Sequence, residues 1–116
     1  MGRVVALMDD LFFQMKLAET AKQLGMEVKV AANGEALLGL LEPEPKLVIV
    51  DLNARSQPLQ AIERLRATNA NVRVVGFLSH VQQELAAQAR QAGCNEVMAR
   101  SSFTQNLAAI LGLAKD

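Results

Sequence analysis

At 116 residues the chain has room for one domain with a single buried core and is too short for two independent ones. Its 12 Lys plus Arg offset 12 Asp plus Glu, so no overall positive field exists to hold nucleic-acid phosphates or an anionic membrane surface. The composition is 51% hydrophobic but only 3% aromatic, without Trp or Tyr, which leaves Val, Leu, Ala and Met to fill the core and argues against a base-stacking platform.

The single cysteine, Cys94, has no chain-mate for a disulfide or a Cys-based metal site, and the cytoplasm is the expected compartment. The first apolar run is stopped by Asp9 without the pattern of a signal peptide. No apolar stretch approaches a membrane span. One domain over residues 1–116 is expected, without a linker or repeat.

In chain order, "RVVALM" is a short β-branched apolar run that suits a buried strand. "LFFQMKLAETAKQLG" follows, with Leu17, Ala18, Ala21 and Leu24 at helical steps and Gly25 as a C-terminal stop. Leu11, Phe12 and Phe13 open this helix, and three consecutive large apolar residues cannot all face one core. At least one is therefore expected at the surface, as a docking patch or under a neighbouring loop. "EVKVAA" reads as the second strand and "NGEALLGLLE" as the second helix. "KLVIV" is the third strand, followed after a loop by the helix "QAIERLRAT". "VRVVGFL" and the Ala-rich "QQELAAQARQAG" form the fourth pair, whose small face either packs onto the sheet or offers a homodimer surface. "NEVMA" and "SSFTQNLAAILGLA" complete the fifth, with Ser101 and Ser102 as candidate N-caps or phosphate contacts.

Strand and helix thus alternate five times, the pattern of a parallel sheet with right-handed helical crossovers. The expected architecture is α/β, a three-layer (βα)5 flavodoxin-like doubly wound sheet in the order 2-1-3-4-5. In that order the first and third strands are neighbours, and a ligand crevice opens at their carboxyl ends. Asp9 and Asp10 end the first strand and Asp51 ends the third, so three carboxylates are expected at one crevice. Their mutual repulsion favours a hard divalent cation such as Mg²⁺, and a carboxylate beside such a cation can serve as nucleophile to phosphorus. The bland reading makes Asp10 a helix cap and Asp51 the cap of a turn in "DLNARSQP".

The "DD" after the first strand, the "VIVDL" around Asp51 and the segment "AGCNEVMARSSF" together resemble the receiver domain of two-component response regulators, over essentially the whole chain. The resemblance implies that Asp51 is the phospho-acceptor, that Asp9 and Asp10 help hold Mg²⁺, and that the backbone carbonyl of Asn53 completes the protein ligands. It also implies a histidine kinase or another phosphoryl donor as partner, with output through protein contacts. Several positions depart from the family pattern. Arg100 stands in place of the family lysine, Leu78 falls where a hydroxyl residue is expected with Ser79 beside it, and Val97 replaces an aromatic switch residue. The loop "LNARSQPLQ" lacks the family's glycine. These departures keep open a phosphorylation-independent pseudo-receiver that works as a binding module. A small phosphohydrolase would want a second acid where Asn53 stands, and a nucleotide-binding domain would want a glycine-rich loop in place of "MDDLFF". His80, Arg55, Lys16 and Arg3 are further polar candidates near the acidic end. Cys94, Met8, Met15, Met26 and Met98 are expected to pack.

Overall fold

The computed structural model describes residues 3–68, 71–79 and 82–114, so His80 lies outside the described residues. Along the chain run β1 (Arg3–Leu7), α1 (Leu11–Gln23), β2 (Glu27–Ala31), α2 (Gly34–Gly39), β3 (Leu47–Asp51), α3 (Pro58–Ala67), β4 (Arg73–Leu78), α4 (Gln83–Ala92), β5 (Glu96–Ala99), α5 (Arg100–Gln105) and α6 (Leu107–Gly112). All strand pairs are parallel, and the sheet order is β2-β1-β3-β4-β5. The five-stranded doubly wound fold expected from the alternation is the fold observed.

Period-two alternation of the central strands sends side chains to two cores. Val4, Ala6, Leu47, Ile49, Val75 and Phe77 pack with α1 and α6, while Val5, Leu7, Val48, Val50 and Val74 pack with α2, α3 and α4. Both faces of β1, β3 and β4 are buried, which is why these strands read as near-continuous apolar runs. β2, at one edge, alternates charged and apolar residues and stays largely exposed.

Three local outcomes differ from the sequence expectation. The last helix is not continuous: Asn106 leaves helical geometry between α5 and α6, and its side-chain amide donates to the Ser102 carbonyl, a local bond that competes with the backbone ladder. Ser101 and Ser102 are not N-caps, because α5 begins one residue earlier at Arg100 with Ala99 in the cap position. Met15 lies on the outer face of α1 and is exposed, whereas Met8 and Met26 are buried as expected.

Across the α3/α4 face, polar stitches replace aromatic contacts. The Arg66 guanidinium donates to the carbonyls of Val72 (2.8 Å) and Gly93 (2.9 Å) and to Asn95 Oδ1 (3.0 Å), tying α3 to the end of α4 and the start of β5. Gly93, at the end of α4, has φ +131°, and a Cβ there would meet the Arg66 side chain at 2.6 Å. Only glycine fits that turn.

Candidate functional site

β1 and β3 lie side by side, with Leu7 opposite Val50, so the loop after β1 and the tip of β3 open at one edge. Asp51 ends β3 and is only 5% exposed, alone among the described residues as a buried charged group. Its Oδ1 accepts the backbone N–H of Asn53 at 2.9 Å, the turn-capping bond of the bland reading. Burial pushes the Asp51 carboxyl above its ordinary range, and nearby Asp9 and Asp10 add to that push. The Asn53 bond and the Arg100 charge oppose it.

β1 ends at Leu7, so Asp9 and Asp10, expected to end this strand, belong to the following loop. Asp10 is the N-cap of α1, with Oδ1 accepting from the Phe13 backbone N–H at 3.1 Å. Its Oδ2 lies 2.7 Å from Arg100 Nη2. The cap bond and the guanidinium hold the Asp10 carboxyl below its usual value despite partial desolvation. Asp9 Oδ2 accepts the Arg55 backbone N–H at 3.1 Å, so Arg55 contributes to the site through its amide while its side chain is solvated.

Arg100 reaches this edge from the start of α5. Its guanidinium carbon lies 4.7 Å from the Phe13 ring centroid and 5.6 Å from that of Phe77, within cation–π range of both. Phe77 and Phe103 stack beneath at 4.6 Å, and Phe13 meets Phe77 edge-on at 5.1 Å. Three of the four phenylalanines thus form one cluster under the charged edge, an arrangement that composition alone could not reveal.

Asn53 joins the two loops at the mouth of the crevice. Its Oδ1 accepts from the Ser79 backbone N–H (2.6 Å) and from Ser79 Oγ (2.9 Å), and its Nδ2 donates to Gln82 Oε1 (2.9 Å). Ser79 therefore brings a hydroxyl to the site while Leu78 is buried in the core below. The role of the Asn53 side chain was not legible in the sequence, where only its carbonyl drew notice. In the same loop Gln57 takes a positive φ of 56° just before Pro58.

Arg3 and Lys16, expected near the acids, are not part of this arrangement. Arg3 starts β1 at the opposite end of the sheet and faces Glu27 at 3.9 Å, and Lys16 is exposed on α1.

The donor chemistry suits Mg²⁺ only in part. Among the described residues no three acidic, histidine or cysteine side chains converge closely enough to hold an ion by themselves. Asp10 has both carboxylate oxygens engaged, one by Arg100 and one by the α1 N-terminus. Asp9 and Asp51 each keep one carboxylate oxygen without a hydrogen bond among the described residues, and the Asn53 carbonyl lies two residues past Asp51. Mg²⁺ takes one or two carboxylates and keeps several waters, so this set fits a hydrated ion.

The open parallel sheet thus carries an acidic crevice at its β1/β3 edge, with Arg100 reaching in from the last strand–helix junction. The response regulator receiver domain family matches residues 4–111, and the chain belongs to that family. The Francisella response regulator 1452 receiver domain superposes with a TM-score of 0.84 at 16% identity, over 98% of this chain and 96% of that one. The signal receiver domain of NarL from Mycobacterium tuberculosis gives 0.78 at 21% identity, over 97% and 95%. A response regulator from Burkholderia pseudomallei, solved with a phosphorylated aspartic acid, a calcium ion and citrate, gives 0.81 at 22% identity, over 96% of this chain and 66% of that one. No curated protein matches the sequence. Among the described residues no helix is long and apolar enough to cross a membrane.

Proposed function

We propose that this receiver domain is switched by phosphoryl transfer to Asp51, supported by Mg²⁺ and answered by a protein partner. The observation that carries the reading is a single buried carboxylate at the tip of β3, flanked by Asp9 and Asp10 and faced by Arg100. A carboxylate oxygen of Asp51 attacks phosphorus, the bond from phosphorus to the donor's imidazole nitrogen breaks, and that nitrogen keeps the electron pair and takes a proton from solvent. An acyl phosphate results. Water later attacks the phosphorus, releasing inorganic phosphate and restoring the carboxylate.

Each residue has a part. The Asn53 N–H holds one Asp51 oxygen, leaving the other to face the incoming group. Asp9, Asp51 and the Asn53 carbonyl would hold the ion. Mg²⁺, when bound, supplies charge neutralisation for the phosphoryl oxygens. Arg100 contributes a permanent positive charge at the same edge. The Burkholderia pseudomallei protein, with its phosphorylated aspartic acid and calcium ion, is consistent with this assignment.

The proposed partner is a phosphohistidine-bearing signalling protein that docks on the start of α1, where Leu11, Phe12 and Met15 are 71%, 86% and 69% exposed beside Asp10. Phe12→Ala is expected to leave stability within about 0.5 kcal/mol and to slow transfer from a protein donor, but not from a small phosphoryl donor. The test of the acceptor is amide NMR with Mg²⁺ and then beryllofluoride. Shifts around Asp9, Asp51 and Asn53 that vanish in Asp51→Asn support the reading. A spectrum that neither ligand moves would leave the phosphorylation-independent module.

A further inference from the structure

The Asp10–Arg100 pair is more tightly defined than a surface ion pair needs to be. Both Asp10 oxygens are engaged, one by the α1 N-terminus and one by the guanidinium at 2.7 Å. The guanidinium is itself fixed by two ring faces, Phe13 and Phe77. Phe13 also donates the N–H that caps Asp10, so one residue holds both members of the pair.

We infer that Arg100 withholds Asp10 from divalent cations, acting as a built-in competitor that sets the cation affinity of the pocket. A cation approaching Asp10 would meet a positive charge already at hydrogen-bonding distance, whereas Asp9 and Asp51 are hydrogen-bonded only by backbone N–H groups and Asp51 feels Arg100 without a direct bond to it. The pocket thus carries its own cation, bonded directly to one of its three acids, before any metal arrives. Arginine suits this task because its planar guanidinium is weakly hydrated, stacks on aromatic faces and keeps its donors in a fixed fork. A lysine ammonium has the same charge but is compact and strongly hydrated, and it would not be held between the same rings.

This inference rests on the proposed cation site but not on phosphorylation. It is tested by a double-mutant cycle on Mg²⁺ affinity, read from amide shifts of the full chain without any phosphoryl group. Arg100→Lys is expected to bind Mg²⁺ about three- to tenfold more tightly than the original chain, because Asp10 becomes available at unchanged net charge. Asp10→Asn keeps the helix cap and is expected to change the affinity less than about twofold by itself, yet to abolish the gain in the Arg100→Lys background. Arg100→Gln carries the same expectation of tighter binding should the lysine variant lose its dispersed spectrum. Equal or weaker Mg²⁺ binding in both Arg100 variants overturns the inference, as does an equal loss from Asp10→Asn in both backgrounds. Beryllofluoride separates the two claims: a positive cycle with no beryllofluoride response retains the competitor and removes the phospho-acceptor.

Discussion

On the α1/α6 face of the sheet, Phe13, Phe77 and Phe103 interlock, and Arg100 rests on two of their rings. On the α3/α4 face none of the described core residues is aromatic, and Ala61, Ala89, Ala92, Cys94 and aliphatic side chains meet a glycine, Gly76, in β4. The difference teaches how the work is divided. The charged edge is braced by dense aromatic packing, so Arg100 and Asp10 hold one geometry. The opposite face is joined by hydrogen-bonded stitches from Arg66 to Val72, Gly93 and Asn95, which exchange with water more readily than buried rings do.

The strongest way to break this comparison is to remove a ring. Phe77→Ala is expected to cost about 3–5 kcal/mol in urea unfolding, and Leu65→Ala on the other face about 2–5 kcal/mol. Stability alone does not separate them. The discriminating readout is the Asp10 carboxyl: Phe77→Ala should let its pKa climb back toward the ordinary range as Arg100 loses its platform, while Leu65→Ala should leave it low. Equal behaviour of the two variants would mean that the aromatic face does not brace the ion pair.

Next in size is Asp10→Ala, which removes the α1 cap and the partner of Arg100 and is expected to cost about 1–2 kcal/mol. The pH dependence fixes the sign. Asp10 titrates below its ordinary value in the folded chain, so on acidification the unfolded chain takes up the proton first. Its contribution is full above the ordinary carboxylate range and disappears as pH falls through the folded value. Asp51 behaves oppositely. Its raised folded value means that its contribution is favourable in acid and is lost as pH rises through that value. Asp51→Asn is therefore expected to stabilise the chain at neutral pH by about 1 kcal/mol, a rise in Tm of about 4 °C, and to give no gain well below the ordinary carboxylate range. A neutral-pH loss of stability in this variant would show that the buried charge is compensated by groups other than those named.

The sequence made the sheet order legible because five β-branched runs alternate with helical spacing, and it placed Asp51 at the tip of β3 for the same reason. Period and run length survive translation into structure. What it hid were side-chain directions. Asp10, Asp9 and Asp51 share one edge, but only the structure shows Asp10 bonded to Arg100. Both bland readings, a cap for Asp10 and a turn for Asp51, hold together with the site, since one carboxylate oxygen can cap while the other faces elsewhere. The break at Asn106 and the exposure of Met15 were missed because helical spacing continues through both positions, and periodicity does not register a local side-chain bond or an unpartnered outer face.

The smallest expected effect probes the loosely filled face. A Cβ at Gly76 would sit 3.1 Å from Leu52 Cδ1 and 3.2 Å from Cys94 Sγ, so both side chains must give by a few tenths of an ångström. Restricting the unfolded chain favours alanine by about 0.4–1 kcal/mol, while crowding a filled core costs about 1–3 kcal/mol. Gly76→Ala is accordingly expected to destabilise by about 0.5–1 kcal/mol net. Burial pushes the Cys94 thiol up to about 11, so it stays protonated near neutrality and packs as a small apolar group. Removing its sulfur should open the space that the new methyl needs. In a Cys94→Ala background the cost of Gly76→Ala should fall by about 0.5 kcal/mol, a coupling measurable by urea unfolding of the four chains. Additive behaviour would place the crowding wholly on Leu52, which sits in the loop that carries Asn53, and would tie the packing of this face directly to the mouth of the acidic crevice.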